Sequence, residues 1–377
     1  MSESDPMVER DHTGPSHSVS MPPREVPVAN PALRDLLGAT PLARITTPLP
    51  HEHRGFWAKL EYLRPGGMKA RAAVSMLTAA RARGELLAGA PVVESTSGTM
   101  GLGLLYAGQL LGHPVVLVVD DELEPAMRAL LTAHGARLEI VTAPHPAGGW
   151  QRARLERVHN VLATLPGAWY PAQYDNPDNP AGYAALAGEL LAELDDIDVL
   201  VCSVGTGGHS AGVVRELRNH RPGIRLVGVD SVGSTLFGRP DRPRLMRGLG
   251  SSIHPRNVDY DAFDEVHWLG PAEAVDACRR LARHSFVTGG WSTGAVAAVA
   301  AWLARVDDPV SVVAVFPDGP HRYLGTIFDD EFCARAGLFA PRRPYPVEVA
   351  DPGCVAVSGW TRCRNVVDPL AAKQVPA

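Results

Sequence analysis

The run Val199-Leu200-Val201-Cys202-Ser203-Val204, followed by Gly205-Thr206-Gly207-Gly208-His209-Ser210, decides the fold. A short apolar stretch that stops at turn residues reads as a strand covered on both faces. The glycines turn the chain, and Ala211 to His220 then reads as a helix. The same strand–turn–helix order recurs on either side. Upstream, Pro91-Val92-Val93-Glu94 runs into Ser95-Thr96-Ser97-Gly98-Thr99, then a helix from Met100 to Leu111. Pro114 to Val119 is another apolar run. Helix Glu124 to His134, strand Arg137 to Val141 and helix Gln151 to Leu165 follow it. Tyr183 to Glu193 is helical after the Asn/Pro loop at Asp175 to Pro180. Nearer the start, Leu36-Leu37-Gly38 reads as a helix end, Phe56 to Glu61 as a strand, and Lys69 to Leu87 as a helix with Gly89 beyond it. Downstream, Arg225 to Asp230 and Val310 to Phe316 read as strands, with helices Ala272 to Arg283 and Gly294 to Ala304 between them. Repeated units of this kind imply an α/β fold with mostly parallel sheets and helices on both faces. Ligands in such folds sit beyond the carboxyl ends of the strands, where the turns lie.

The chain has 377 residues, of which 45% are hydrophobic, so it can bury one large α/β core or two lobes that share a cleft. Its net charge of −5 argues against a nucleic-acid partner, which selects for a concentrated basic face. No apolar run approaches the roughly 20 residues that span a bilayer. Met1 to Asn30 is polar, rich in Ser and Pro, and has no secretory apolar stretch. It reads as a disordered leader, 1–30, on a cytoplasmic protein. The body then spans 31–340. After Ala340 the chain turns Pro/Arg-rich and loses periodicity, so 341–377 is an extension, either disordered or strapped over the body. The cysteines Cys202, Cys278, Cys333, Cys354 and Cys363 are odd in number and scattered, which reads as ordinary thiols with no disulfide framework and no metal site.

Three turns carry chemistry. Arg64-Pro65-Gly66-Gly67-Met68-Lys69 places a lysine just before a helix. The helix dipole there favours the neutral, nucleophilic amine. A solvated surface lysine would look the same in isolation. Glu94-Ser95-Thr96-Ser97-Gly98-Thr99-Met100-Gly101 offers hydroxyls and free N–H groups at a helix start, which suits an amino-acid carboxylate and equally suits plain capping. Gly205-Thr206-Gly207-Gly208 can form a phosphate nest. The dinucleotide and Walker patterns are absent.

Together these turns resemble the cysteine-synthase family of pyridoxal-phosphate (PLP) enzymes, fold type II, which includes cystathionine β-synthase. The resemblance runs from about Pro31 to Thr326. Besides the three turns it is carried by Gly38-Ala39-Thr40-Pro41-Leu42, Lys59-Leu60-Glu61, Gln173-Tyr174-Asp175-Asn176-Pro177, Gly248-Leu249-Gly250 and the segment Pro317-Asp318 to Arg322-Tyr323.

The resemblance implies two α/β lobes with PLP in the cleft, a smaller mobile lobe at about 75–180, and a homodimer. Lys69 would hold PLP as a Schiff base and move the substrate's α-proton. Gly205, Thr206, Gly207 and Gly208 would bind the phosphate, with His209 where the family often has Thr. Ser95, Thr96, Ser97 and Gln173 would hold the substrate carboxylate, and Gly248 and Gly250 would line the substrate side. Thr99 replaces the Asn that usually contacts the PLP 3′-oxygen. Gly319 replaces a serine whose hydroxyl is expected against the pyridine nitrogen. A water, or His321, would fill that gap, and the weaker electron sink would favour β-elimination. Arg247, next to Gly248, would hold a departing phosphate or sit idle on the surface.

The implied reaction is β-replacement on O-acetyl- or O-phospho-L-serine through an α-aminoacrylate. A small nucleophile then adds. Sulfide, giving cysteine, is the default, and an amine giving a diaminopropionate-type product is the variant. The rivals are a serine/threonine β-eliminating deaminase and a non-catalytic binding protein that kept the fold.

Overall fold

The apolar strands and the turns between them assemble into two sheets, seen in a computed structural model that describes residues 27–46, 55–307, 310–351 and 357–371. In chain order the elements are β1 (Leu42–Ile45), β2 (Phe56–Lys59), α1 (Lys69–Ala82), β3 (Val92–Ser95), α2 (Thr99–Leu111), β4 (Val115–Asp120), α3 (Pro125–Ala133), β5 (Arg137–Val141) and α4 (Gly149–Thr164). They continue with α5 (Asp178–Ala181), α6 (Ala184–Glu193), β6 (Val199–Ser203), α7 (Gly208–His220), β7 (Arg225–Ser231), β8 (Glu265–Leu269), α8 (Pro271–Ser285), α9 (Trp291–Val306), β9 (Val312–Val315), α10 (Asp330–Arg335), β10 (Val347–Glu348) and β11 (Thr361–Cys363).

The larger sheet runs β1-β2-β9-β6-β7-β8-β11-β10, and the smaller runs β3-β4-β5. The smaller sheet is parallel throughout. The larger one is parallel except where β1 meets β2 and where β11 meets β8. Every residue of β4 and β6 is buried, as two-sided cover requires. One apolar cluster joins β4 and α1 to β6, β8 and α7, so the two sheets share a core. Among the described residues no helix is long and apolar enough to cross a membrane.

The structure differs from the sequence reading in three places. Helix α1 stops at Ala82, five residues before Leu87, because the chain reverses at Gly84 with φ +75. Helix α7 starts at Gly208, three residues early, so part of the glycine turn is already helix. Strand β8 went unread, since Glu265 and His267 look wrong for a buried strand. They are buried because the tail supplies partners: Arg362 grips Glu265, and Trp360 Nε1 donates to His267 Nδ1 at 3.0 Å. The described part of the tail is therefore a strap. It adds β11 and β10 to the sheet edge.

Of the expected leader, residues 1–26 lie outside the described residues, as does Cys354. Asn30 N–H already donates to Gln109 O of α2, at 3.0 Å. Cys202, Cys278, Cys333 and Cys363 are free and buried.

Candidate active site

The carboxyl ends of β2, β3, β6 and β9 deliver their turns to one place, and a cavity of about 510 Å³ opens there. It is lined from the expected set by Lys69, Thr96, Ser97, Thr99, Gln173, Gly205, Thr206, Arg247, Gly248 and Gly250.

Lys69 opens α1, and its Nζ lies 3.3 Å from Thr206 Oγ1. It lines the cavity. Burial in the protein mass pushes its pKa down to about 8, against the opposing pull of Asp318. A useful fraction of neutral amine therefore exists near physiological pH. Lys59, the other lysine of the ordered body, is unavailable. It is fully buried and tied to Thr40 O at 2.7 Å, Glu193 at 2.6 Å and Glu189 at 3.0 Å.

The β3 turn is held from both sides. Thr96 Oγ1 accepts from Gly98 N and Gly101 N, capping α2. Arg322 donates to Ser97 O at 2.7 Å, to Thr99 Oγ1 at 3.1 Å and to Glu124 at 3.2 Å. Glu94 lies beneath, and burial pushes its pKa up to about 8. Its two oxygens accept from Ser95 N at 2.8 Å and Gln173 N at 3.0 Å, which fixes these two cradle segments to each other. Gln173 Nε2 closes the link by donating to Ser95 O at 2.6 Å.

Several expected residues stand behind the cavity wall. The Ser95 side chain is fully buried against Arg154, at 3.3 Å from its Nε, so its hydroxyl does not line the site. The α-carbon of Gly207 faces backbone, and an added Cβ would lie 2.5 Å from Asn257 O. Gly208 faces Asn179 in the same way. His209 is buried against the Tyr183 ring. Burial, and then Lys69, push its pKa down to about 3, so the imidazole is neutral. Gly205 is different. Its α-carbon looks into open space, with Gly248 O the nearest atom at 3.8 Å.

Gly319 also stands outside the cavity, facing His321 and Tyr62. A different hydroxyl, that of Ser292, does line the site. Ser292 Oγ donates to Asp318 Oδ1 at 2.9 Å, and Tyr323 OH donates to Asp318 Oδ2. Sequence reasoning passed over Ser292, although Gly289-Gly290-Trp291-Ser292-Thr293-Gly294 repeats the glycine-and-hydroxyl pattern at a helix start. It also passed over Arg154, an isolated arginine on a helix with no distinguishing pattern. Arg154 lines the cavity and pairs with buried Asp120.

A family profile described as "pyridoxal-phosphate dependent enzyme" matches residues 33–318. The chain belongs to the cysteine-synthase type of PLP-dependent enzymes. It is 36% identical over 322 residues to N-(2-amino-2-carboxyethyl)-L-glutamate synthase of Ralstonia nicotianae, covering 84% of this chain and 95% of that one. It resembles the solved structure of O-ureido-L-serine synthase with a TM-score of 0.73 and 30% identity, over 81% of this chain and 96% of that one. The O-acetylserine-dependent cystathionine β-synthase from Helicobacter pylori matches with a TM-score of 0.72 and 28% identity, over 78% and 97%.

The residues present fit PLP. The cavity holds one desolvated lysine amine. Beside it stand Gly205, which leaves room for a ligand, and Thr206, whose hydroxyl lies 3.3 Å from the amine. Just past Thr206, α7 opens with the N–H groups of Gly208, His209 and Ser210, which have no intrahelical acceptor and of which Gly208's lies 3.5 Å from Thr206 Oγ1; a helix start of this kind suits a phosphate dianion.

Proposed function

We propose that this PLP-dependent enzyme performs β-replacement on an activated L-serine, O-acetyl- or O-phospho-L-serine, with the amine of an anionic amino acid as nucleophile. The observation that carries this reading is a cavity with a neutral-capable lysine at its floor and arginines at its mouth. The relative that makes an N-(2-amino-2-carboxyethyl) amino acid supports the C–N variant.

When bound, PLP supplies the electron sink that stabilises negative charge at an amino acid's Cα. The chain supplies the rest. Lys69 Nζ takes the proton from Cα and returns it after the nucleophile has added. The Cβ–O bond breaks with its electron pair on the leaving group, and the incoming amine forms the Cβ–N bond and gives up one proton. Thr96, Ser97 and Gln173 orient the substrate carboxylate. Arg322 and Glu94 hold those segments still. The opening turn of α7, with Gly205 and Thr206, anchors the cofactor phosphate. Closure of the smaller sheet over the cavity excludes water from the reacting centre.

The test is product analysis by mass spectrometry, with each serine ester offered alongside L-glutamate, other amino acids or sulfide. The expected product joins the serine-derived carbon chain to the amino nitrogen. Cysteine from sulfide alone would restore the sulfhydrylase default. Pyruvate at the same rate whatever nucleophile is added would make the protein a β-eliminating deaminase.

A further inference from the structure

The arginines at the mouth of the cavity have no individual roles in the reaction above. Five arginines line the cavity: Arg154, Arg242, Arg244, Arg247 and Arg322. Three are committed to the protein. Arg154 pairs with Asp120, and Arg322 holds the β3 turn and Glu124. Arg244 donates to Gly233 O at 2.9 Å and to Asp241 and Ser252 Oγ, both at 2.8 Å.

The other two differ. Arg242 is exposed, and its guanidinium meets no acceptor among the described residues. Among the described residues Arg247 has one partner, Glu122, at 2.6 Å. Glu122 follows β4 of the smaller sheet, while Arg247 lies in the segment after β7 of the larger one, so the pair spans the cleft. Its side chains are 25% and 53% exposed, and an ion pair this open to water is cheap to break.

We propose that Arg242 and Arg247 form a subsite for the side-chain carboxylate of the incoming amino acid, and that Glu122 occupies Arg247 until that carboxylate displaces it. The inference rests on the β-replacement reading and names the groups that select its second substrate. A guanidinium fork takes a carboxylate through two parallel N–H bonds. An anionic nucleophile replaces Glu122 at Arg247 like for like, and it also neutralises Arg242. An amino acid whose side chain ends in an amide brings no second carboxylate to this place, so the mouth selects acidic amino acids over their amides.

The test is steady-state kinetics with one activated serine and with L-glutamate and L-glutamine as alternative nucleophiles. Wild type favours glutamate. Arg242→Ala and Arg247→Ala each lower the glutamate-to-glutamine ratio of kcat/KM by roughly ten- to a hundredfold. Glu122→Gln lowers KM for glutamate and not for glutamine, and this gain vanishes in the Arg247→Ala background. Equal losses for both nucleophiles in the arginine variants would overturn the subsite. So would an altered preference between O-phospho- and O-acetyl-L-serine with an unaltered glutamate-to-glutamine ratio, which would assign Arg247 to the leaving group. Wild type that joins both nucleophiles equally well defeats the subsite and leaves the reaction standing. Wild type that joins neither defeats both.

Discussion

Lys69 shows how a single side chain acquires its chemistry from its place. A free lysine is almost wholly charged at neutral pH. Burial at the cavity floor lowers the Lys69 pKa to about 8, although Asp318 opposes the shift. Only the neutral amine attacks an aldehyde, so uptake of PLP by the apoprotein should depend on this ionisation. The sign is simple: uptake speeds up as pH rises and levels off above about 8. Stopped-flow absorbance across pH 6–10 (about four pH units around the shifted value) checks it. A rate still climbing toward the ordinary lysine value would mean that the amine is not desolvated. Ser292 makes a second point at the same scale. The resemblance drew attention to Gly319 as a lost hydroxyl, yet a different residue brings a hydroxyl to the cavity. Position in a motif did not reveal which side chain faces inward.

The glycine turn before α7 looks uniform in sequence, but its members have different duties. Gly205 faces open space, so a side chain there would enter the cavity without disturbing the protein. Gly207 has φ +80 and backbone 2.5 Å from an added Cβ. Gly205→Val should therefore fold with near-normal Tm and lose PLP on dialysis. Gly207→Val should lose stability whether or not PLP is present, by about 1–3 kcal/mol for strain and overpacking. Thermal melts of the apoproteins separate the two. Equal destabilisation would show that Gly205 too serves the fold. Much of this was legible in advance. The buried runs of β4 and β6 and the three turns were read correctly because two-sided burial and turn chemistry are local signals. The direction each α-carbon faces was not, because it depends on neighbours such as Asn257 and Asn179 brought in from elsewhere.

At the scale of the molecule, the same limit explains β8 and the tail. A strand that buries Glu265 and His267 is unreadable without the tail residues, almost a hundred positions away, that neutralise them. Burial opposes the Glu265 charge, but His267 and Arg362 outweigh it and hold its pKa at about 2. That contribution to stability is complete above the ordinary glutamate value of 4.5 and is lost as pH falls toward about 2. Arg362→Ala strands a buried carboxylate and uncovers the Trp302 ring that the guanidinium overlies. A loss of about 3–5 kcal/mol is expected, read by denaturant melts. The PLP spectrum of the folded variant should be unchanged, because the strap lies at the sheet edge opposite β2 and away from the cavity. A variant as stable as wild type would mean that the strap merely rests on the sheet.

Lys69 is the residue proposed to carry PLP. The chain has only three lysines, Lys59, Lys69 and Lys373, so the claim has few rivals. Borohydride reduction of the purified enzyme followed by peptide mass mapping tests it directly. The cofactor's mass is expected on the peptide containing Lys69 and on no other. Label on Lys59 or Lys373, or no label on a protein that retains its visible absorbance, would contradict it.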